Sequence, residues 1–208
     1  MKLGMMALAT VVAAVATPAA AASILNLDAR VNSGVKPPGT PNPALVTTFL
    51  AQGTYQLSFV GPADGGLFTA ATVWNPHPGT CNSQGSNCTQ GWFNRASFFF
   101  GQTLTSSTVV QSIGSSAQAF RFRTAALSLA NATNSANAAT FTRTITVAAG
   151  GQHFSAYLND TPTNDNHGGV SLAIAAVPEP STWMLMIMGF GMIAAALRGQ
   201  RKALDAAA

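Results

Sequence analysis

The stretch "TYQLSFV", residues 54–60, alternates polar and apolar side chains from Thr54 to Phe59. Successive side chains of a β-strand point to opposite faces, so Tyr55, Leu57 and Phe59 share one face. The stretch "QHFSAYLN", residues 152–159, repeats this alternation. Both stretches therefore predict a strand that places one face against an apolar core.

Seven further stretches in the middle of the chain are rich in β-branched and aromatic residues and are bounded by Gly, Pro, Asn or Ser. They lie at residues 23–31, 45–51, 68–74, 92–101, 107–113, 140–148 and 168–176. Many short strands separated by turn residues are typical of β-sandwiches and barrels. We therefore predict an all-β fold, a single antiparallel β-sandwich of the jelly-roll type over residues 23–177.

Three stretches inside this domain carry separate predictions. Residues 122–137 (FRTAALSLANATNSAN) predict a short helix or a loop, because they lack strand alternation. Residues 32–44 contain four prolines and predict a loop that lies across the domain. In the run Phe98-Phe99-Phe100, alternate members are expected in the core.

The N-terminus has the composition of an export signal. Met1-Lys2 is followed by an uncharged run and then by "TPAAAAS". A positive start, an apolar run of about 7–15 residues and an Ala-x-Ala site describe a secretory signal peptide. We predict a signal helix over residues 1–22 that signal peptidase removes after Ala22, with Ala20 and Ala22 as the small residues. A membrane anchor that stays in place is the alternative.

The C-terminal segment combines a proline motif, an uncharged run and a basic cluster. Residues 183–197 carry no charge, and the two polar residues before them extend the run to residues 181–197. A membrane span usually needs about 17–25 apolar residues, so this run predicts a transmembrane helix, with a buried core helix as the alternative. The basic cluster at residues 198–202 suits the cytoplasmic side of a bilayer.

The order and spacing of these elements over residues 178–202 resemble the PEP-CTERM sorting signal. The resemblance is carried by Pro178, Glu179, Pro180, Trp183, Arg198, Arg201 and Lys202. Proteins with this signal are substrates of exosortase, a membrane transpeptidase-like enzyme that is thought to cut near the Pro-Glu-Pro element. The resemblance therefore implies temporary anchoring in the inner membrane, followed by release to the cell surface or into an exopolysaccharide matrix.

The charge of the central domain is small. Residues 23–177 contain six basic and four acidic residues, a formal charge of +2, so the isoelectric point near 9.6 is partly set by the two ends. Arg121 and Arg123 alone do not form the basic stripe that a nucleic-acid surface needs. We therefore expect no nucleic-acid partner.

Cys81 and Cys88 are the only cysteines and enclose six polar residues. In an oxidising compartment such a pair predicts a disulfide that closes a small loop. A zinc site is not expected, because no second cysteine pair or suitably spaced histidine completes a ligand set.

The acidic residues of the domain are concentrated in one loop. Of its four acids, Asp160 and Asp165 lie in "YLNDTPTNDNHGG", residues 157–169, without a lysine or arginine in the same stretch. Close carboxylates repel one another unless a cation lies between them, and calcium prefers oxygen ligands. The loop therefore predicts a calcium site, whereas ordinary turn chemistry is the alternative explanation of the same residue types.

The order strand, Asp, short loop, Asp-Asn, Gly, strand also resembles the calcium site of bacterial galactophilic lectins, which are small β-sandwich proteins. The similarity extends over residues 50–176. It implies a lectin-like sandwich in which calcium is bound by Asp160, Asp165 and Asn166 together with a backbone carbonyl of Pro162 or Thr163. By the same resemblance, a carbonyl of Val73 or Trp74 is a further ligand, and sugar hydroxyls complete the coordination of the ion.

Four residues are candidates for contact with such a sugar. Trp74 and Trp92 flank the cysteine loop, His77 lies close by in the sequence, and His167 adjoins the acidic loop. An exposed aromatic face suits the apolar side of a sugar ring, but large aromatic residues are more often buried in the core. Both alternatives stay open for the tryptophans, and structural roles are the alternative for the histidines.

Two classes of function follow. In the first, an exported, exosortase-sorted protein binds calcium and a glycan of the exopolysaccharide matrix through its sandwich. In the second, the protein is a purely structural component of the matrix or cell surface without a small ligand. An enzyme is not expected, because the sequence has no Gly-x-Ser-x-Gly elbow and no zinc spacing, and two acids within one turn make a poor glycosidase pair.

Overall fold

A computed structural model describes residues 23–74, 77–178 and 180–205. The predicted signal peptide, including Ala20 and Ala22, lies outside the described residues, as does Glu179 of the sorting motif. The described chain up to Val177 forms one compact unit, and the tail that follows belongs to a second unit.

Ten strands build the first unit. They are β1 (Ser23–Asp28), β2 (Ser33–Gly34), β3 (Val46–Leu50), β4 (Gly53–Val60), β5 (Ala71–Thr72), β6 (Asn94–Phe100), β7 (Gln111–Ser115), β8 (Thr142–Val147), β9 (Gln152–Asn159) and β10 (His167–Ala176). One sheet has the order β1-β10-β4-β8, and β5 also pairs with β10. The other has the order β2-β9-β6-β7, and β3 also pairs with β9. All named pairs are antiparallel except β2 with β9. Two such sheets are consistent with the predicted β-sandwich.

Helices are few in this unit. Within the described residues they are α1 (Ala125–Ala132), α2 (Ala138–Phe141) and three 3₁₀ turns at Pro62–Asp64, Gln118–Phe120 and Ser135–Asn137. The α1 helix begins after Thr124, whose side chain accepts a hydrogen bond from Leu127 N at 3.2 Å. This N-cap satisfies one of the free N–H groups of the first turn. Of the two structures predicted for residues 122–137, the helix is therefore the one observed.

The tail contains a single long helix, α3 (Pro180–Asp205), which includes the predicted transmembrane stretch 181–197. Among the described residues, no helix combines the length and the apolar character that crossing a bilayer requires.

The apolar face of β4 lies in the core, as its alternation predicts. Tyr55, Leu57 and Phe59 are all buried, whereas Gln56 on the other face is exposed. The neighbouring strand β10 is covered on both faces over most of its length, because it lies inside its sheet and carries apolar or small residues throughout. Such continuous burial is typical of a central strand.

The second sheet departs from the expected alternation. Phe98 belongs to the main core, yet Phe99 on the opposite face is also 1% exposed, and Tyr157 beside it in β9 is equally buried. Phe98 and Phe100, the alternate members of the run, lie in or against the main core as predicted, and Phe99 is buried in addition, outside that core cluster. Lys36 in the proline-rich loop donates to the carbonyl oxygen of Thr108 at 2.7 Å. This bond ties the loop to the connection between β6 and β7.

The two sheets are joined by the acidic loop. Strand β9 belongs to one sheet and β10 to the other, so residues 160–166 pass between the sheets at one end of the unit. At this end Asp28 of β1 is opposite Gly169, whereas Ser23 is opposite Ile174 near the other end of β10. The fold thus places the acidic loop and the turn after β1 side by side.

Candidate functional site

The acidic loop is held at both ends by backbone hydrogen bonds. Asp160 follows β9, and its N–H donates to the carbonyl oxygen of Gly34 at 3.1 Å. Asn166 precedes β10, and its N–H donates to Thr163 O at 3.4 Å, which closes a turn. The backbone is therefore fixed at the first residue of the loop by β2 and at the last by the loop's own turn.

Asn166 is the most constrained residue of the loop. It is fully buried, and its Nδ2 donates to the carbonyl oxygen of Ala29 at 2.9 Å. Its own carbonyl accepts a hydrogen bond from Arg30 Nε at 2.8 Å. These bonds come from the turn after β1, so the loop and that turn support each other.

Three oxygen atoms of the loop are buried without a hydrogen-bond donor. They are Asp160 Oδ2, Asp165 Oδ1 and Asn166 Oδ1, and they make up three of the seven such side-chain atoms in the described part of the chain. A buried oxygen without a donor costs about 1–3 kcal/mol, and more when it is charged. The loop therefore concentrates unsatisfied electron-rich atoms within seven residues.

The electrostatics of Asp160 reflect this crowding. Partial burial raises the pKa of Asp160 above its ordinary value, and the Asp165 carboxylate raises it further. Hydrogen bonds from the Asn166 side chain and from the Thr161 backbone N–H offset part of this rise in pKa. The two carboxylates are therefore close enough to repel one another, and the ionised form of Asp160 is disfavoured in the absence of a cation.

The side chains of the acidic loop offer oxygen atoms as metal ligands, rather than the nitrogen or sulfur atoms that commonly hold transition metals. The described residues contain no group of three or more His, Cys, Asp or Glu that is arranged to hold a metal ion. Two carboxylates and an amide oxygen are instead the hard ligands that calcium prefers. Of the two carbonyl candidates, Pro162 is exposed, and Thr163 O already accepts the turn hydrogen bond from Asn166.

A cavity of about 210 Å³ lies beside Asp160. Its lining comes from the end of β9, from the segment after β5 and from the region around β6 and β7. The lining residues are Ala71, Val73, Trp74, Phe93, Arg95, Ser116, Arg121, Leu158, Asn159 and Asp160. The structure thus brings Val73 and Trp74, whose backbone carbonyls are the candidate calcium ligands, to the same cavity as Asp160.

Two arginines, Arg95 and Arg121, also line this cavity. The Arg121 guanidinium lies 4.2 Å from the centroid of the Trp74 ring, a cation–π contact. Arg121 Nε donates to Ser116 O at 2.8 Å, and Arg95 Nη1 donates to Ser116 Oγ at 3.2 Å. Ser116 therefore orients both guanidinium groups, and its hydroxyl and carbonyl oxygens accept the two bonds.

The other sugar candidates lie outside this cavity. Trp92 packs against Gly168, where an added Cβ would lie 2.7 Å from Trp92 Cζ3 and against the carbonyl oxygen of Ala70. His77 is exposed, and the His167 ring lies 3.2 Å from Arg30 Nη2. Of the four residues, only Trp74 shares the cavity with Asp160, and its ring is half-buried beneath Arg121.

The predicted disulfide is confirmed. Cys81 and Cys88 are bonded to each other and close the small loop. Cys88 N donates to Arg121 O at 3.1 Å, and Arg121 Nη1 donates to Thr89 O at 2.5 Å. The crosslinked loop therefore supports one wall of the cavity.

The cationic part of this site, formed by Arg95 and Arg121, was not predicted from the sequence. Arg95 and Ser116 carry no motif, and Arg121 was considered only as one of two isolated basic residues. A weak signal existed, since Arg95 interrupts an otherwise uncharged strand. Its meaning depends on the hydrogen bond to Ser116 near the β6–β7 pairing and on the cavity that it shares with Asp160, which the sequence does not reveal.

Comparison with known proteins identifies the tail. Residues 176–202 match the family described as PEP-CTERM protein-sorting motif. The match supports the class of exported proteins that exosortase sorts to the cell surface. No curated protein and no solved structure matches the chain significantly. The chain therefore carries a PEP-CTERM sorting motif behind a two-sheet β domain.

Proposed function

We propose that the sandwich of this exosortase-sorted protein binds calcium at its acidic loop and, beside the ion, a glycan of the exopolysaccharide matrix. Asp160, Asp165 and Asn166 supply side-chain oxygens to the ion. The remaining ligands are a carbonyl of the same loop, a carbonyl of Val73 or Trp74, and water or sugar hydroxyls. The three buried oxygens without donors carry this proposal.

Electrostatics support a cation at this position. Two carboxylates that repel one another and an amide oxygen without a donor each cost free energy when the loop is empty. A divalent cation removes both costs, because it attracts the carboxylates and serves as the partner of the amide oxygen. The Asn166 amide is already fixed through its Nδ2 bond to Ala29, so little side-chain entropy is lost when the ion binds.

The cavity supports the glycan part of the proposal. It adjoins Asp160, contains an aromatic side chain, and exposes polar groups from three different strands or strand ends. Small-molecule sites commonly combine an apolar wall with a few polar groups that set orientation. An ion at Asp160 lies at the border of this cavity, where hydroxyls of a sugar ring are able to complete its coordination.

The sorting part of the proposal follows from the tail. Signal peptidase removes residues 1–22, the segment 181–197 anchors the chain temporarily in the inner membrane, and exosortase cuts near Pro178-Glu179-Pro180. The released sandwich then remains at the cell surface or in the matrix. The intact mass of the surface-released protein tests this order, since a released form that retains Arg198 contradicts removal of the anchor.

The metal content of the purified protein and its thermal melting test the calcium site. A ligand that binds only the folded state raises the melting temperature. We expect about one calcium ion per chain after equilibrium dialysis, as the single loop implies, and a higher melting temperature in calcium than in chelator. Identical melting curves in both buffers would contradict the calcium site and favour a purely structural matrix protein.

A further inference from the structure

The Arg95 guanidinium lines the cavity, and two of its nitrogens make no hydrogen bond to the described protein. Arg95 Nη1 donates to Ser116 Oγ, whereas Nε and Nη2 have no acceptor among the described residues. These two nitrogens lie on the same side of the planar group, the side that pairs with a carboxylate through two parallel hydrogen bonds. The edge therefore matches a planar anion.

The Arg121 guanidinium is a second positive charge on the lining of the same cavity. Arg121 is immobilised by carbonyl acceptors from Ser116 and Thr89 and by the Trp74 ring. Burial lowers the pKa of Arg121, because the charged guanidinium is less favourably solvated there than in water. Two guanidinium groups on one small wall repel each other, and a bound anion removes this repulsion.

Asp160 gives the same cavity a preference of the reverse sign. It is also a lining residue, so a simple anion that fills the whole cavity meets a carboxylate. A volume of about 210 Å³ lies below the ~300–1,000 Å³ typical of sites for drug-sized ligands, which favours a ligand the size of one sugar ring. The matching ligand carries one carboxylate and, at its other end, neutral hydroxyl groups.

We propose that the cavity binds a hexuronate residue of an acidic polysaccharide, with its carboxylate on Arg95 and its hydroxyls directed to the cation at Asp160. The hydroxyl half of this inference rests on the proposed calcium site, whereas the carboxylate half rests on the arginines alone. Calcium and the uronate therefore strengthen each other's binding, since each neutralises charge that the other meets.

Binding of three probes to the purified protein in calcium tests the ligand class. The probes are galacturonate, galactose and acetate, and isothermal titration calorimetry measures their dissociation constants. We expect galacturonate to bind about tenfold or more tightly than either of the others, which corresponds to about 1.4 kcal/mol. Acetate that binds as tightly as galacturonate overturns the sugar part, and galactose that binds as tightly overturns the carboxylate part.

Variants of Arg95 test the position of the carboxylate. Arg95→Gln is expected to weaken galacturonate binding about tenfold, because the charged bidentate pair is lost. Arg95→Lys keeps the charge without the planar edge and is expected to lie between the two. The matched control is Arg143→Gln on β8, an exposed arginine that donates to Gln111 Oε1 at 3.2 Å. Equal galacturonate affinity of wild type and a folded Arg95→Gln variant overturns the inference.

The outcomes separate this inference from the proposed function. A calcium-dependent rise in melting temperature without a galacturonate preference overturns the inference and leaves the calcium site standing. Galacturonate binding that depends on Arg95 but is unchanged by chelator overturns the hydroxyl half of the inference and leaves the carboxylate half standing, and the melting curves in calcium and chelator then decide the calcium site separately. Melting curves of the Arg95 variants in buffer alone establish that each variant is folded.

Discussion

Two neighbouring loops at one end of the sandwich pair aspartate with asparagine, and they use these residues in opposite ways. In the turn after β1, Asp28 Oδ1 accepts from the N–H groups of Arg30 and Val31 at 2.8 and 3.1 Å. Asn32 Oδ1 accepts from Asp28 N at 2.8 Å, and Asn32 Nδ2 donates to Ala44 O. This is turn chemistry, in which side-chain oxygens replace missing backbone partners.

The acidic loop contains the same residue types with a different outcome. Its Asn166 also anchors through Nδ2, but the oxygen of that amide and one oxygen each of Asp160 and Asp165 are buried without donors. Residue type therefore does not distinguish a turn from a cation site. The distinguishing feature is whether the oxygens are used by N–H groups or left for another partner.

The largest effect expected from this difference is on the response to calcium. At a calcium concentration of about 100 times Kd, the wild-type protein gains about 2.7 kcal/mol, or about 5–10 °C in melting temperature for a domain of this size. Asp165→Asn is expected to lose most of this gain, because an amide is a weaker calcium ligand than a carboxylate. Scanning calorimetry in calcium and in chelator measures it.

The control for this experiment is the melting temperature in chelator. Asp165→Asn removes a like charge from beside Asp160, so the variant should be at least as stable as wild type without calcium. A variant that melts lower in chelator and keeps the full calcium response would show that the acids of this loop are structural.

The next largest effect concerns the turn after β1, where the oxygens of Asp28 and Asn32 accept hydrogen bonds from backbone N–H groups. Asp28→Ala removes the acceptor of two backbone N–H groups and is expected to cost about 1–2 kcal/mol, or about 2–8 °C, in calcium and chelator alike. Asp28→Asn retains an acceptor oxygen and should cost less. Thermal melting of the two variants measures both costs. A change in the calcium response of Asp28→Asn would mean that the turn and the acidic loop form one site.

The smallest effect is on the pH dependence of stability. Because the folded protein raises the pKa of Asp160, the folded state holds its proton to a higher pH than the unfolded chain does. In chelator, the Asp160 contribution to the free energy of unfolding should therefore fall as pH rises from the ordinary aspartate pKa to the raised one, and stay low above it. Calcium binds the ionised form and should tighten over the same range.

Asp160→Asn isolates this contribution. The variant lacks the titrating group, so the difference in melting temperature between it and wild type in chelator should grow in favour of the variant across that pH range. Melting series of the two proteins in matched buffers measure the difference. A difference that does not change with pH would show that Asp160 ionises as freely in the folded protein as in the unfolded chain.

The sequence predicted the strands well where alternation or continuous apolar character was strong. Strands β4, β9 and β10 lie where the pattern places them, because one face or both must be buried in any version of the fold. The stretch 68–74 forms strand only at Ala71–Thr72, where β5 pairs with two residues of β10, and the stretch 107–113 forms strand only from Gln111, because β6 pairs with residues 111–115. The two-residue β2 has no sequence signal of its own.

The sequence also predicted only part of the candidate site, because only part of the site comes from residues that are close in sequence. Asp160, Asp165 and Asn166 are close in sequence, so their clustering is visible without a structure. Arg95 and Arg121 come to line the same cavity as Asp160 only through the folding of three distant segments. The burial of Phe99 was missed for the same cause, since alternation does not reveal what covers the second face of a sheet.

Strand β10 runs from one end of the sandwich to the other. Its first residues adjoin the acidic loop, and its last lead through Val177, whose N–H donates to Thr54 O at 2.8 Å, into the tail. The strand is roughly 30 Å long, and Ser23, the first residue after the predicted signal cleavage, pairs near the same far end. Within this unit, the start of β1 and the exit to the tail therefore lie at one end of the sandwich, and the acidic loop lies at the opposite end.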